Sequence, residues 1–288
     1  MIQRRIRRYI VSGVYMSVRK KRKKVGLALG SGGIRGLAHV GVIKCLCRHG
    51  IPVDYIAGAS IGAWVGAHYA LFEDIPRLEQ FTVGKRLEKL NTFFELTLKG
   101  GIVKGTKVQR LLDNWLGSAD FESTKIPVRI SAADIITGSE VVFSRGKLAP
   151  AVRASMSVPS VFIPGVVDGR FLIDGGVVNP VPVSVVKEMG ADIIIAVNLD
   201  NYSREGLFTA EDVESLPRVT TRSIDLLRHH LARHCCRGAQ IVIEPDNAHD
   251  KLSSWKNYFI NNLGEEHMKR GDEAAEVLMP RLKKLLAR

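Results

Sequence analysis

Two side chains in this 288-residue sequence have neighbours suited to acyl transfer: Ser60, within Gly58-Ala59-Ser60-Ile61-Gly62, and Asp174, within Asp174-Gly175-Gly176. The serine lies between an apolar strand-like run, Tyr55-Ile56-Ala57, and a helix-like run from Ile61. A serine on so tight a strand-to-helix turn is a nucleophile elbow, which tolerates only small flanking residues such as Gly58 and Gly62. The same pattern also reads as an ordinary turn in which Ser60 is an N-cap. Upstream, strand-like Val25-Gly26-Leu27-Ala28-Leu29 runs into Gly30-Ser31-Gly32-Gly33-Ile34-Arg35-Gly36 and then a helix-like run from Leu37 to Cys47. A glycine-rich turn at a helix N-terminus presents free N–H groups and the positive end of the helix dipole, so it is an anion cradle.

Three anions compete for that cradle. A dinucleotide asks for G-x-G-x-x-G, but counting from Gly30 puts Arg35 at the last glycine, and counting from Ser31 puts serine at the first. A nucleoside triphosphate asks for G-x-x-x-x-G-K-[ST]; Gly100 to Lys107 has the glycine spacing but the reversed order Thr106-Lys107. The oxyanion of an acyl-transfer intermediate asks only for two aimed backbone N–H groups near a nucleophile. Arg35 either holds this loop or is a surface arginine. Asp174 ends a strand-like run, Arg170 to Ile173, and Asp-Gly alone signals a hairpin turn. A serine also needs a base within hydrogen-bond reach, which a strand-end carboxylate flanked by glycines could supply. A Ser, acid, His order would draw its imidazole from His229, His230, His234, His249 or His267. The first three fall in a basic and apolar helical pattern that reads as a solvated face. His39 and His68, on apolar helices, read as packed core or helix-end residues.

The order and spacing of the Gly30–Gly36 loop, Gly58-Ala59-Ser60-Ile61-Gly62 and Asp174-Gly175-Gly176 resemble the patatin-like phospholipase family. Arg153-Ala154-Ser155-Met156-Ser157-Val158-Pro159 and Asn179-Pro180-Val181-Pro182 add to the likeness, which covers residues 25–199. Ser31 departs from it, standing where many members have glycine. The resemblance implies a three-layer α/β/α sandwich with a mostly parallel central sheet. It also implies a lipid acyl hydrolase with a Ser60–Asp174 dyad, no catalytic histidine, no cofactor and no metal. The oxyanion hole would come from the glycine loop (Gly30, Gly32, Gly33, Arg35, Gly36), through the N–H groups of Gly32 and Gly33. The substrate would be a phospholipid or other lipid ester. A membrane-associated regulatory or binding protein with little turnover is the alternative on the same fold.

The elements that must position these residues alternate as strand and helix, the pattern of a mostly parallel sheet covered on both faces. Strands are expected at residues 25–29, 52–57, 128–133, 140–144, 170–173, 193–198 and 240–244. Helices are expected at 37–49, 61–72, 107–116, 182–189, 220–236 and 265–286. Phe93, Phe94, Leu96 and Leu98 suggest a rim over an acyl channel or buried helix packing. The length suits one α/β domain over residues 25–288, preceded by a basic extension, 1–24. The formal charge of +13 belongs mostly to that extension, whose ten Lys and Arg and no acid leave +3 for the rest. A nearly neutral body excludes a nucleic-acid reading. The extension either binds anionic headgroups, at about 1 kcal/mol per cation near the surface, or is solvated. Its apolar centre, residues 9–16, is too short to span a bilayer and has basic residues on both sides, unlike a signal peptide. The four cysteines, Cys45, Cys47, Cys235 and Cys236, lack zinc-site spacing and read as reduced thiols. The expected location is cytoplasmic, at the inner membrane face if the extension binds lipid. The sequence does not set the oligomeric state.

Overall fold

The computed structural model describes residues 8–11, 14–17, 22–82, 106–201, 208–246 and 263–287. Within the basic extension, β1 (Arg8–Val11) and β2 (Val14–Ser17) pair as an antiparallel ribbon, an element the composition alone did not announce. The body is built on β3 (Val25–Leu29), β4 (Tyr55–Ala59), β5 (Val128–Asp134), β6 (Glu140–Phe143), β7 (Gly165–Val167), β8 (Arg170–Asp174), β9 (Ile193–Val197) and β10 (Ile241–Ile243). These form one eight-stranded sheet in the order β10-β9-β3-β4-β5-β8-β7, with β6 also on β5. The first five in that order run parallel, whereas β6, β7 and β8 are antiparallel to their neighbours.

Two helical layers enclose the sheet. On one face lie α1 (Ala38–Arg48), α2 (Ile61–Phe72), α3 (Ile75–Thr82), α4 (Thr106–Leu116), α5 (Leu148–Ser155) and the long C-terminal α8 (Leu263–Ala287). They pack on Leu27, Leu29, Ile56, Ile130 and Ile195, all fully buried. The other face carries α6 (Val183–Glu188) and the end of α7 (Leu216–Cys235), packed on Ala28, Ala57 and Ala196. Continuous apolar strands are what a sheet buried on both sides requires. Small residues on the second face let α6 come close: a Cβ on Gly26 would stand 2.1 Å from Val186 Cγ1. The expected strands and helices are all present. The sequence predicts α7 from Thr220, but it starts at Leu216, because Pro217 sits in the first turn where its missing N–H is no loss. Of the region 74–105 expected as a rim or as buried helix packing, residues 75–82 form α3, whereas Phe93, Phe94, Leu96 and Leu98 lie outside the described residues.

The registers around β5 explain how residues 114 positions apart in sequence meet. Ile130 and Ser131 pair with Gly58 and Ala59 of β4 and also with Phe143 and Val142 of β6. Ala132 and Ala133 pair with Asp174 and Ile173 of β8 and also with Val141 and Glu140 of β6. Because β6 holds one edge of β5 throughout, β4 and β8 share the other edge. β4 runs up it and ends at Ala59, opposite Ser131; β8 runs down it and ends at Asp174, opposite Ala132. The two strand ends therefore abut, one register step apart. β3 lies between β4 and β9, whose flanking helices occupy opposite faces, so the sheet's switch point falls at the β3 C-terminus.

Candidate active site

Ser60 occupies the single residue between β4 and α2 at φ 55° and ψ −122°. A non-glycine residue held in that region stores about 1–3 kcal/mol of strain, which persists only where the surroundings enforce it. Here they do. A Cβ on Gly58 would lie 2.4 Å from Gly62 O, and one on Gly62 would lie 2.2 Å from Leu29 O, so any larger residue would push α2 off the sheet. The Ser60 N–H donates to Ser155 Oγ (2.8 Å), which itself donates to Ser131 O (2.6 Å). The hydroxyl does not cap α2; it donates to Asp174 Oδ2.

Asp174 is buried, with its other oxygen, Oδ1, accepting from the Gly176 N–H (2.7 Å) and its own N–H donating to Ser157 O (3.0 Å). Gly175 is obligatory by close approach, since a Cβ would stand 2.2 Å from Ser131 O. Burial raises the Asp174 pKa above the ordinary carboxylate value; the Ser60 hydroxyl, the Arg228 charge and the Gly176 N–H oppose that shift without cancelling it. A carboxylate with a raised pKa is a better base.

The glycine loop is fixed from both sides. Gly30 and Ser31 spend their N–H groups on Val197 O (3.1 Å) and Pro180 O (2.8 Å), and the buried His39 donates from Nε2 to Gly30 O (2.7 Å). Gly33 adopts φ 59°, open to glycine at little cost. Among the described residues no backbone carbonyl accepts from the N–H of Gly32 or Gly33, which lead into the helical turn Gly33–Leu37. Arg35 holds the loop: it is buried, donating from Nε to Gly32 O (3.2 Å) and from Nη2 to Asp200 Oδ1 (3.4 Å). Gly36 lies against Ile61, where a Cβ would meet its side chain at 2.2 Å. Ser155, Ser157, Asp200 and Arg228 also serve this site. Ser155 and Ser157 fall in the Arg153–Pro159 segment that carries the resemblance, though the sequence assigns them no role; Asp200 and Arg228 are not singled out there, and the Asn198-Leu199-Asp200 tail of β9, a polar pair at a strand C-terminus, is the one hint of Asp200.

Among the described residues, the side-chain partner of Ser60 Oγ is Asp174, and no imidazole bonds to either. His230 and His234 are exposed on α7, as expected, whereas His229 is half-buried, with Nδ1 2.8 Å from Asp200 O. His249 lies outside the described residues, and His267 is buried on the inner side of α8. Cys45, His49 and Glu276 converge within 4.8 Å at the far end of α1. Arg48 (2.6 Å from Glu276) and Lys283 (2.9 Å from His49 Nδ1) already supply two cations there.

Comparison with known proteins fits this geometry. Residues 27–187 match the model of the patatin-like phospholipase family. The chain belongs to that family. It is 39% identical over 201 residues to an uncharacterised NTE family protein of Mycobacterium tuberculosis, covering 68% of this chain and 53% of that one. It is 35% identical over 181 residues to the lysophospholipase NTE1 of Candida albicans, covering 61% of this chain and 13% of that protein. The chain thus spans about half the length of the mycobacterial relative and an eighth of the fungal one. Crystalline VipD from Legionella pneumophila shares the fold, with a TM-score of 0.53 at 12% identity over 97% of this chain and 71% of that one.

Proposed function

We propose that this chain is a serine acyl hydrolase acting on carboxylic esters of phospholipids and lysophospholipids through Ser60 and Asp174. The observation that carries the reading is the Ser60 Oγ hydrogen bond to a buried Asp174 beside the glycine loop. In this reading Ser60 attacks the ester carbonyl as Asp174 accepts the hydroxyl proton. The N–H groups of Gly32 and Gly33 receive the tetrahedral oxyanion, Asp174 returns the proton to the departing alcohol, and water then releases the acyl group from Ser60. The dyad needs no third residue to orient its base, because the Gly176 N–H already pins the second carboxylate oxygen.

A lipid substrate is supported by where the apolar surface lies. Ile136, Val166, Phe171, Val177, Leu216 and Leu227 are all exposed large apolar side chains, and all stand at the end of the sheet that carries Ser60. The fungal relatives' name, lysophospholipase, points to the same ester class. No helix among the described residues is long and apolar enough to cross a membrane; residues 1–24 would be a second contact for anionic headgroups.

The test is reaction with a fluorophosphonate probe and hydrolysis of p-nitrophenyl butyrate and lysophosphatidylcholine. Ser60→Ala is expected to abolish labelling, and Ser60→Ala and Asp174→Asn each to lower kcat by about a thousandfold or more. Undiminished hydrolysis in either variant would remove the proposal.

A further inference from the structure

The deepest connection between the glycine loop and the rest of the molecule runs through α7. We propose that Arg228 is a positioning residue, gripping Ser31 and Asp200 so that the oxyanion loop is held against the Asp174-Gly175-Gly176 turn. This deepens the acyl-hydrolase reading and rests on it. Arg228 Nη2 lies 3.0 Å from Ser31 Oγ and 3.0 and 3.2 Å from the two carboxylate oxygens of Asp200. Asp200 is buried and is held at its N–H by Asn198 Oδ1 (3.0 Å) and at its carbonyl by His229 (2.8 Å), the next residue of α7. Its carboxylate also meets Arg35, which reaches Gly32 O. One buried carboxylate therefore ties both arginines, and through them two consecutive residues of the loop, to one place.

Ser31 carries the connection onward. Its side chain fills the space beside Gly176, where a Cβ would come within 2.4 Å of Ser31 Oγ. The Gly176 N–H in turn holds Asp174 Oδ1. The departure from glycine at position 31 thus has a structural use: a hydroxyl that links α7 to the turn bearing the base. An oxyanion hole works only when its donors are already aimed, and a misplacement of 1 Å costs about a hundredfold in rate. The charges acting on Asp174 are Arg228, which favours its ionised form, and Asp200, which disfavours it. Arg35, Arg222 and Asp225 share their field.

The test compares wild type with Arg228→Met, Arg228→Lys and Ser31→Ala, using monomeric p-nitrophenyl butyrate and the fluorophosphonate labelling rate. Arg228→Met is expected to lower kcat about 10- to 100-fold with KM within about twofold, because the loop and not the substrate loses its support. It should also move the acid limb of the kcat/KM profile to higher pH. Arg228→Lys keeps the charge on a shorter side chain whose ammonium stops short of the place Nη2 holds between Ser31 and Asp200, so the limb should return while kcat recovers only in part. Ser31→Ala should lower kcat about tenfold with the limb unmoved. Arg228→Met with wild-type kcat and an unmoved limb would overturn the proposal, as would a limb that Lys fails to restore. If Arg228→Met does not fold, Ser31→Ala decides: an unchanged kcat overturns it. Wild-type protein that the probe does not label overturns the hydrolase reading and this one together; wild type and Arg228→Met labelled at equal rates overturn this one alone.

Discussion

Ser60, Asp174 and His39 are each held in a state that free residues avoid: a left-handed backbone, a buried carboxylate and a buried imidazole. The last makes stability depend on pH in a predictable sense. Burial lowers the His39 pKa from 6.5 to about 4, opposed only in part by its bond to Gly30 O. His68, buried between Phe72 and Phe81 with no hydrogen-bond partner on either ring nitrogen among the described residues, is lowered to about 4 by burial and by Arg77. Between pH 6.5 and 4 the unfolded chain binds protons that the native imidazoles refuse, so their contribution is intact above pH 6.5 and falls as pH drops. For His39 alone the loss is about 3 kcal/mol. Asp174 works in the opposite sense, its raised pKa making its ionisation above about pH 4 a cost to the fold. Replacing His68 by Phe isolates one contribution. Urea unfolding of His68→Phe should lose less stability than wild type between pH 6.5 and 4; equal losses would show that His68 takes up its proton without penalty. At this scale the sequence displays Ser60, Asp174 and the loop glycines because their constraints are local, a turn and its neighbours. Arg228 and Asp200 stay hidden because their roles arise only when α7 folds back over the end of β3.

The elements obey a similar division. β3, β4, β5, β9 and α1, α2, α4 and α8 announce themselves as apolar runs or amphipathic stripes. α5 does not: its eight residues begin Leu148-Ala149-Pro150 and include three alanines, too short and too small to show a period, although it supplies Ser155 to the Ser60 N–H. β7, three residues after Pro164, is defined only by pairing with β8. The same holds for α3, whose eight residues are read as a helix only once Leu78 is buried under α1 and α2. One close crossing is visible only in three dimensions. A Cβ on Gly41 of α1 would stand 1.8 Å from Met268 O, and one on Gly271 of α8 would stand 2.0 Å from Ala38 O, so the two helices touch backbone to backbone. Neither carbonyl can swing aside as a side-chain tip would. Gly41→Ala is therefore expected to cost about 3 kcal/mol through overpacking, read as a lowered urea midpoint. A loss below about 0.5 kcal/mol would mean that α8 rides on α1 without being fixed by it. α1 also carries His39, so this crossing bears on the glycine loop one turn away.

Across the whole molecule, Ser60 and Asp174 lie at one end of the sheet and the start of the body at the other. Ser60, Asp174 and the glycine loop sit at the C-terminal ends of the parallel strands. Residues 22–24 are tied down at the other end, where Arg22 pairs with Asp54 just before β4 (2.6 Å), Lys24 N–H donates to Asp192 just before β9 (2.7 Å) and Lys23 reaches Leu285 O (2.8 Å). Residue 22, where the basic extension joins the body, thus lies at the pole away from Ser60 and Asp174. Bound to anionic headgroups, the extension would be a tether. Such a tether would act on encounter with lipid and not on the chemical step. Deleting residues 2–21 is expected to leave kcat/KM on monomeric p-nitrophenyl butyrate within about twofold of the full chain. The same deletion should weaken co-sedimentation with phosphatidylserine vesicles in a salt-dependent way. Equal vesicle binding with and without the extension would remove the tether. A large fall in turnover of the soluble ester would show that the extension reaches the site itself, against the separation that the anchoring of Arg22, Lys23 and Lys24 imposes.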